Sequence, residues 1–402
     1  MDFKNVRAHT ILFTEDCPLD CRYCQLKYES EYGLYENQSF ETILEKIRQY
    51  DAQDIQDGFD TQLTFTGGEP FLYWPQIKKI IEEYGNRFIY HFNTSGYLFT
   101  EEILEFLSHY KSYFTLSIDG GERLTNYIRP VKGHPAHVGY FKKIKEIAPA
   151  LTYYFPQVVC KLIINNRYVD MLHETYLDME KAGFKAATLI LDFNSRPHLE
   201  GTPKQIQRVW NDEDTKILHE QMELITKEIV FGFMENKNRM HLTNFNSIIE
   251  FLLSGKTKEY SPDNLICNVF NGRTLETIAN SRDRHCFEGT FNSLDEARQA
   301  LIDEFNSSDG KCPLDPDCPA FLYCANHNCP ISSYQATGTY FGSDKLECIL
   351  AKESYDSVIK ILILCNEYCA DKPAYKRYIN NFNYIGKKEA VENGTTISFL
   401  SM

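Results

Sequence analysis

The chain has 402 residues, and its 43% hydrophobic and 14% aromatic content is that of a folded protein with room for two domains. Its formal net charge of -14 argues against a nucleic-acid partner, because binding a polyphosphate backbone needs a basic surface. No apolar run resembles a signal peptide or approaches the roughly 20 residues of a membrane span, so we expect a cytoplasmic protein with no membrane partner. In such a reducing compartment, the 13 cysteines favour metal binding over disulfides.

Six short runs rich in β-branched and aromatic residues predict strands in the first half of the chain. They lie at residues 8–14, 62–66, 88–93, 113–118, 158–165 and 187–193. Amphipathic patterns predict helices from Phe40, with Ser39 as cap, and near residues 75–85, 100–110, 137–148 and 169–182, with Gly183 closing the last. This alternation predicts an α/β fold, an open partial (βα)6 barrel with its chemistry at the C-terminal ends of the strands.

The second half of the chain has a different pattern. A helix is predicted from residue 212 to about 235, with Asn211 as its cap. After residue 260 the alternation stops, and seven cysteines follow between Cys267 and Cys348. We therefore expect a partial barrel over residues 1–210, a bridging helical segment over 211–260, and a C-terminal, cysteine-rich iron–sulfur cluster domain with a helical tail over 261–402.

The segment CPLDCRYC places Cys17, Cys21 and Cys24 in a short loop after the first strand. Three thiolates at this spacing can bind three irons of a cubane cluster and leave the fourth iron open. Zinc is the alternative, but it prefers four ligands, and no histidine or fourth cysteine lies nearby. The spacing therefore predicts a 4Fe–4S site.

This motif resembles the signature of the radical S-adenosylmethionine (SAM) enzymes, in which an aromatic residue precedes the last cysteine. Tyr23 is that aromatic, and the resemblance places it near the adenine of SAM. In the family, a glycine-rich turn and its glutamate bind the amino group of the methionine part, and Gly67, Gly68 and Glu69 resemble this turn. The resemblance also assigns cofactor binding to polar residues at later strand ends, namely Asn93, Ser95, Ser117, Asp119 and Arg129.

The resemblance implies that SAM is cleaved reductively to a radical that takes a hydrogen atom from a substrate. Asp192 ends the last predicted strand, and we expect it to be an acid–base or substrate-anchoring catalytic residue. Three other cysteines carry weaker expectations. Cys160 lies among apolar residues and is read as a packed thiol, and Cys365 and Cys369 are read as core residues or a spare ligand pair.

The second group of cysteines resembles the SPASM domain, a C-terminal module that holds two auxiliary 4Fe–4S clusters in radical enzymes that modify peptides. The resemblance assigns Cys312, Cys318, Cys324 and Cys348 to an outer cluster and Cys267, Cys286 and Cys329 to an inner one. Zinc remains the alternative for these residues. Because the inner cluster has three cysteines, its fourth ligand could be Asp315 or Asp317, Cys365 or Cys369, or an exchangeable water or substrate thiolate.

The resemblance implies an oxidoreductase that abstracts a hydrogen atom from a ribosomally made peptide and forms a C–S, C–C or C–O crosslink. An anaerobic sulfatase maturase, which makes formylglycine from Cys or Ser, is the rival enzyme. A scaffold that holds clusters without radical chemistry is a second rival, but it would not need the Gly67–Gly68–Glu69 turn. The expected partners are the precursor peptide and an electron donor such as flavodoxin or ferredoxin. Because Cys17 lies too early for a preceding leader-binding domain, leader recognition would need a separate protein or a surface within these two domains.

Overall fold

The computed structural model describes residues 6–14, 16–24, 39–134, 139–191, 210–254, 303, 318 and 345–380. Its centre is a parallel sheet in which each strand pairs with the next strand of the chain. The strands are β1 (Val6–Leu12), β2 (Asp60–Thr66), β3 (Ile89–Thr94), β4 (Ser112–Ser117), β5 (Val159–Ile164), β6 (Ala186–Leu191) and β7 (His241–Leu242). The predicted open α/β barrel is confirmed, with one strand more than the sequence pattern indicates.

The helices between and after the strands largely follow the predicted positions. They are α1 (Phe40–Asp57), α2 (Trp74–Tyr84), α3 (Glu101–Ser108), α4 (Glu122–Ile128), α5 (Tyr140–Tyr154), α6 (Leu172–Lys181), α7 (Asp212–Met234), α8 (Asn246–Ser254) and α9 (Lys345–Tyr368). The short helix α4 is not predicted by the sequence pattern. No helix among the described residues is both long and apolar enough to cross a bilayer.

Side-chain caps begin two helices where the sequence predicts them. The Ser39 hydroxyl accepts a hydrogen bond from the backbone N–H of Thr42 at 3.2 Å. Asn211 and Asp214 form a reciprocal capping box at the start of α7, with each side chain accepting from the other residue's backbone. Gly183 follows α6 with a φ of 98°, a left-handed conformation that favours glycine.

Helix α5 extends past the predicted end at residue 148. Pro149 lies inside this helix, although a proline has no N–H to donate and normally disrupts a helix interior. The helix continues to Tyr154, with Leu151 fully buried and Phe155 buried at the cap. Burial of these two apolar side chains offsets the lost hydrogen bond.

Strand β7 is missed because it has two residues, too few to show any periodicity. His241 and Leu242 pair with Ala186 and Ala187 at the start of β6. The Asn244 side chain then accepts from the Leu189 N–H at 2.8 Å and donates to the Leu189 carbonyl at 3.0 Å. This amide takes the place of a strand partner beside the middle of β6.

Helix α9 packs against the bridging helix α7. His219 on α7 contacts Glu353 on α9 at 2.9 Å, and Lys360 forms an ion pair with Glu223. Cys365 and Cys369 are fully buried in this region, as expected of core residues. The C-terminal helical segment is therefore joined to the barrel through α7.

One face of the sheet is built on aromatic side chains that pack against helices. Phe114 on β4 is 1% exposed and lies 5.2 Å from Phe92 and Phe99 and 4.6 Å from Phe155, measured between ring centroids. Such ring pairs stabilise a fold beyond their buried area. This aromatic cluster holds β3 and β4 in the register that positions the polar residues at their C-terminal ends.

Replacing Phe114 with alanine should lower the free energy of unfolding by about 3–5 kcal/mol, because the cavity cannot collapse among rigid rings. The matched control is Tyr153→Ala, since Tyr153 is 79% exposed. That change should cost less than about 0.5 kcal/mol. Denaturant unfolding measures both values, and equal losses would contradict the assigned core.

Candidate active site

The loop that carries Cys17, Cys21 and Cys24 has no regular secondary structure and is held by a second loop. Leu19 forms an antiparallel bridge with Val131. The N–H of Asp20 donates to the Pro130 carbonyl at 2.7 Å, and the N–H of Arg22 donates to the Ile128 carbonyl at 2.9 Å. These bonds fix residues 18–22 against the segment that follows α4.

The glycine-rich turn after β2 holds the same loop from its other side. The N–H of Gly68 donates to the Thr14 carbonyl, and the N–H of Glu69 donates to the Asp16 carbonyl, both at 2.8 Å. Gly67 has a φ of 118°, a conformation that side chains rarely adopt. The turn therefore lies directly beside Cys17, at the C-terminal ends of β1 and β2.

The Glu69 carboxylate is fully buried and bonded to the end of β3. It accepts from the Thr94 hydroxyl at 2.6 Å, from the Ser95 N–H at 2.9 Å and from the Phe71 N–H at 3.3 Å, and it also bonds the Ser95 hydroxyl. Burial raises the pKa of Glu69, and these hydrogen bonds act against the rise. Glu69 thus ties the turn after β2 to the end of β3.

A buried polar network surrounds Cys21. The Arg129 Nε donates to the Asp119 carboxylate at 2.6 Å, and the Tyr23 hydroxyl donates to the same carboxylate at 2.8 Å. The Arg129 Nη1 lies 3.7 Å from the Cys21 sulfur. The structure therefore brings together Tyr23, Asp119 and Arg129, which the sequence assigns separately to cofactor binding, beside one of the three cysteines.

Cys17, Cys21 and Cys24 are a donor set that fits a cubane cluster with one open iron. Burial, with smaller contributions from the nearby Cys21, Glu69 and Cys24, raises the pKa of the Cys17 thiol to about 12. Bound iron would remove that proton, as metals do for coordinating thiols. Within the described residues, no three His, Cys, Asp or Glu side chains are arranged to hold one metal ion. A cubane needs no such convergence, since each thiolate binds a different iron.

Polar side chains line the face of the sheet opposite the aromatic cluster. The strand register places three rows on this face: Thr64, His91 and Tyr113; then Asn93, Thr115 and Val159; then Ser117, Lys161 and Thr188. Asn93 and Ser117 are half-buried and lie in the two rows nearest the cysteine loop. Burial lowers the pKa of Lys161, and the Arg129 charge adds to this effect.

Several residues to which the sequence assigns a catalytic or metal-binding role lie outside the cluster of side chains described above. Asp192 and the cysteines at 267, 286, 312, 324 and 329 lie outside the described residues. Cys318 is half-buried, and Cys348 lies in the first turn of α9. His134, in the loop after α4, is exposed. The roles of Asp192 and of both auxiliary clusters stay predictions.

The sequence of residues 11–181 matches the profile of the Radical SAM superfamily. This region contains the cysteine loop, the turn at Gly67 and the ends of β3 and β4. The chain contains a radical SAM domain.

Two relatives and one solved structure are similar to this chain. The cysteine-type anaerobic sulfatase-maturating enzyme of Clostridium perfringens is 23% identical over 72% of this chain and 75% of its own length. The radical SAM cyclopropyl synthase TigE of Paramaledivibacter caminithermalis is 23% identical over 31% of this chain, and the match spans only 29% of TigE. The structure of anSMEcpe with bound AdoMet and Cp18Cys peptide superposes with a TM-score of 0.59 at 17% identity, covering 90% of this chain and 99% of that one. The last likeness establishes the shared fold.

Some residues that join the strand ends of the radical SAM domain are not predicted by the sequence. Thr94 bonds Glu69, and the Tyr140 hydroxyl lies 2.7 Å from the Ser95 carbonyl and 2.6 Å from the Ser117 carbonyl, joining the ends of β3 and β4. The polar rows on the sheet, by contrast, have a signal in the sequence, namely the alternation of polar and apolar residues along the strands. Strands buried on both faces are continuously apolar, whereas β3 and β4 alternate polar and apolar residues.

His91 provides a test of this polar face. It stacks on Tyr113 at 4.3 Å, its Nε2 lies 2.9 Å from the Thr115 hydroxyl, and burial lowers its pKa to about 4, with the Lys161 charge contributing. An unfolded imidazole takes a proton below about pH 6.5, so the unfolded state binds more protons as the pH falls toward 4. The His91 contribution to stability should therefore fall by about 1 kcal/mol between about pH 7.5 and about pH 5.5.

Urea unfolding of the wild type and of His91→Gln at both pH values measures this change. The stability difference between the two proteins should shrink at the lower pH. His134→Gln, at an exposed loop position, is the control. A difference that stays constant with pH would show that His91 accepts a proton in the folded protein.

Proposed function

We propose that this chain is a radical SAM enzyme that abstracts a hydrogen atom from a peptide substrate and forms a C–S, C–C or C–O crosslink. One observation carries the radical chemistry. The loop of Cys17, Cys21 and Cys24 and the Gly67–Gly68–Glu69 turn are hydrogen-bonded to each other at the C-terminal edge of the sheet. A scaffold that only held clusters would not need this turn beside the thiols.

The bound cluster and SAM would supply the one-electron chemistry, while the protein binds and orients the reactants. Cys17, Cys21 and Cys24 would hold the cluster. Asn93 and Ser117 present half-buried polar groups near the C-terminal ends of β3 and β4 and are proposed to bind SAM. We propose that the remaining residues assigned by the resemblance bind SAM or shape its site; they are Tyr23, Gly67, Gly68, Glu69, Ser95, Asp119 and Arg129.

The polar rows on the face of the sheet opposite the aromatic cluster are proposed to contact the substrate. A peptide carries many N–H and C=O groups, and hydroxyl, amide and imidazole side chains can pair with them. Gln62, Thr64 and Tyr113 already form a connected network, with Tyr113 donating to Gln62 at 2.9 Å and Gln62 donating to Thr64 at 3.1 Å. Asp192 directly follows β6 and is proposed to act on the substrate there.

The peptide substrate is supported by the comparisons. The sulfatase-maturating relative, by its name, acts on a protein, and its match spans most of both chains. The anSMEcpe structure contains a bound peptide. We further propose two auxiliary 4Fe–4S clusters on the cysteines from 267 to 348, an electron donor such as flavodoxin or ferredoxin, and a separate leader-binding protein.

Formylglycine formation is the second candidate, and the coverage of the sulfatase-maturating enzyme favours it. The products separate the two reactions. A crosslink removes two hydrogen atoms and joins two residues, whereas formylglycine formation from cysteine replaces the sulfur with an oxygen at one residue. Mass spectrometry with fragmentation, on peptides encoded beside this gene and on sulfatase peptides, distinguishes them.

Anaerobically reconstituted protein should convert SAM to 5′-deoxyadenosine when reduced with dithionite. Replacing Cys17, Cys21 and Cys24 together with alanine should abolish this product, because no ligand set would remain for the cluster. The control is Cys160→Ala, since Cys160 is fully buried in β5 away from the loop. Unchanged product formation in the triple variant would refute the proposed function.

Iron content tests the auxiliary clusters separately. Three cubane clusters would give about twelve irons per chain, and the triple alanine variant would retain about eight. A zinc-binding C-terminal half would instead give about four irons in the wild type and none in the variant. Metal analysis of both proteins therefore decides between the two readings of cysteines 267 to 348.

A further inference from the structure

Arg129 lies between a carboxylate and a cysteine of the loop. Its Nε and Nη2 donate to the two oxygens of Asp119 at 2.6 and 3.2 Å, and its Nη2 also bonds the Tyr23 hydroxyl. The remaining nitrogen, Nη1, points at the Cys21 sulfur at 3.7 Å. Arg129 is 6% exposed and Asp119 is 2% exposed, so water screens neither charge well.

The orientation of the guanidinium is fixed by Asp119. A two-point pairing between a planar guanidinium and a carboxylate leaves little rotational freedom. The ring of Tyr23 adds a cation–π contact, with its centroid 5.1 Å from the Arg129 carbon. The N–H directed at the sulfur is therefore a preorganised donor.

We propose that Arg129 raises the reduction potential of the cluster held by Cys21, and that Asp119 orients Arg129 and offsets part of its charge. This inference rests on the proposed function, because it needs a cluster on Cys21. One-electron reduction adds negative charge to the cluster. A nearby positive charge and an N–H···S hydrogen bond stabilise the reduced form more than the oxidised form.

The same geometry makes Arg129 and Asp119 positioning residues. Their charged groups are paired with each other, and they act on the cluster through Cys21. A merely bracing role is the competing explanation, because both residues also sit beside the loop pairing of residues 18–22 with 128–132. The two explanations predict different signs for two variants.

The experiment is a redox titration of the reconstituted full chain, monitored by electron paramagnetic resonance. The signal measured is that of the cluster whose spectrum changes when SAM is added. In Arg129→Met, the ratio of reduced to oxidised cluster at the wild-type midpoint should fall about tenfold, which for one electron is a shift of about 59 mV. In Asp119→Asn, the ratio should rise, because the Arg129 charge is no longer offset. Arg129→Lys keeps the positive charge but loses the two-point pairing of the guanidinium with Asp119. Its ratio of reduced to oxidised cluster should lie between those of Arg129→Met and the wild type.

Shifts of the same sign in Arg129→Met and Asp119→Asn would indicate loosening of the loop and would overturn the inference, as would no shift in either. If Arg129→Met does not hold the cluster, Asp119→Asn decides alone, and an unchanged or lowered potential there refutes the inference. Failure of the proposed function is distinguishable. In that case the wild type itself would lack a cluster that depends on Cys17, Cys21 and Cys24.

Discussion

Residues 16–24, which carry Cys17, Cys21 and Cys24, form no helix or strand, and backbone hydrogen bonds from two other segments hold them in place. Gly68 and Glu69 bond to this loop on one side, and Ile128 and Pro130 accept from it on the other. A metal cluster requires its ligands at fixed separations. A free loop of this length would lose considerable conformational entropy on adopting such an arrangement. The barrel supplies this order in advance, since each anchoring segment follows a strand or a helix.

Two buried carboxylates, Glu69 and Asp119, connect the loop and its anchoring segments to further strand ends of the sheet. Glu69 links the turn after β2 to the end of β3, and Asp119 links the end of β4 to Arg129 and Tyr23. Each carboxylate has several donors, which is the condition under which a buried acid can be accommodated. Removal of either acid would leave donors without acceptors in the interior, so the loop, the turn and the strand ends depend on one another.

Much of the fold could be predicted from the sequence, because its signals are local. Ser39 and Asn211 cap helices where the pattern places them, and the apolar strands lie at or near their predicted positions. The pattern fails where local signals conflict with packing or are absent. Pro149 indicates a helix end, but buried Leu151 outweighs it, and the two residues of β7 carry no period.

The sequence predicts the members of the proposed site but not the contacts between them. Cys17, Cys21 and Cys24 stand out through their spacing, and Glu69 through the resemblance of its turn to that of the radical SAM enzymes. Arg129 and Cys21 are 108 residues apart in the chain, so their contact has no local signal. Arg129 and Asp119 are only 10 residues apart, but no motif predicts their pairing. Thr94 and Tyr140 carry no motif, and their bonds become visible only when the strand ends are side by side.

In the part of the chain that the structure describes, the two ends of the sheet do not meet, since β1 pairs only with β2 and β7 pairs only with the first residues of β6. A closed cylinder admits a polymer only by threading one of its termini, whereas a cylinder with a side opening can receive a bend from the middle of a chain. An enzyme of this shape can reach an internal residue of a long substrate and release it without passing either end through the barrel.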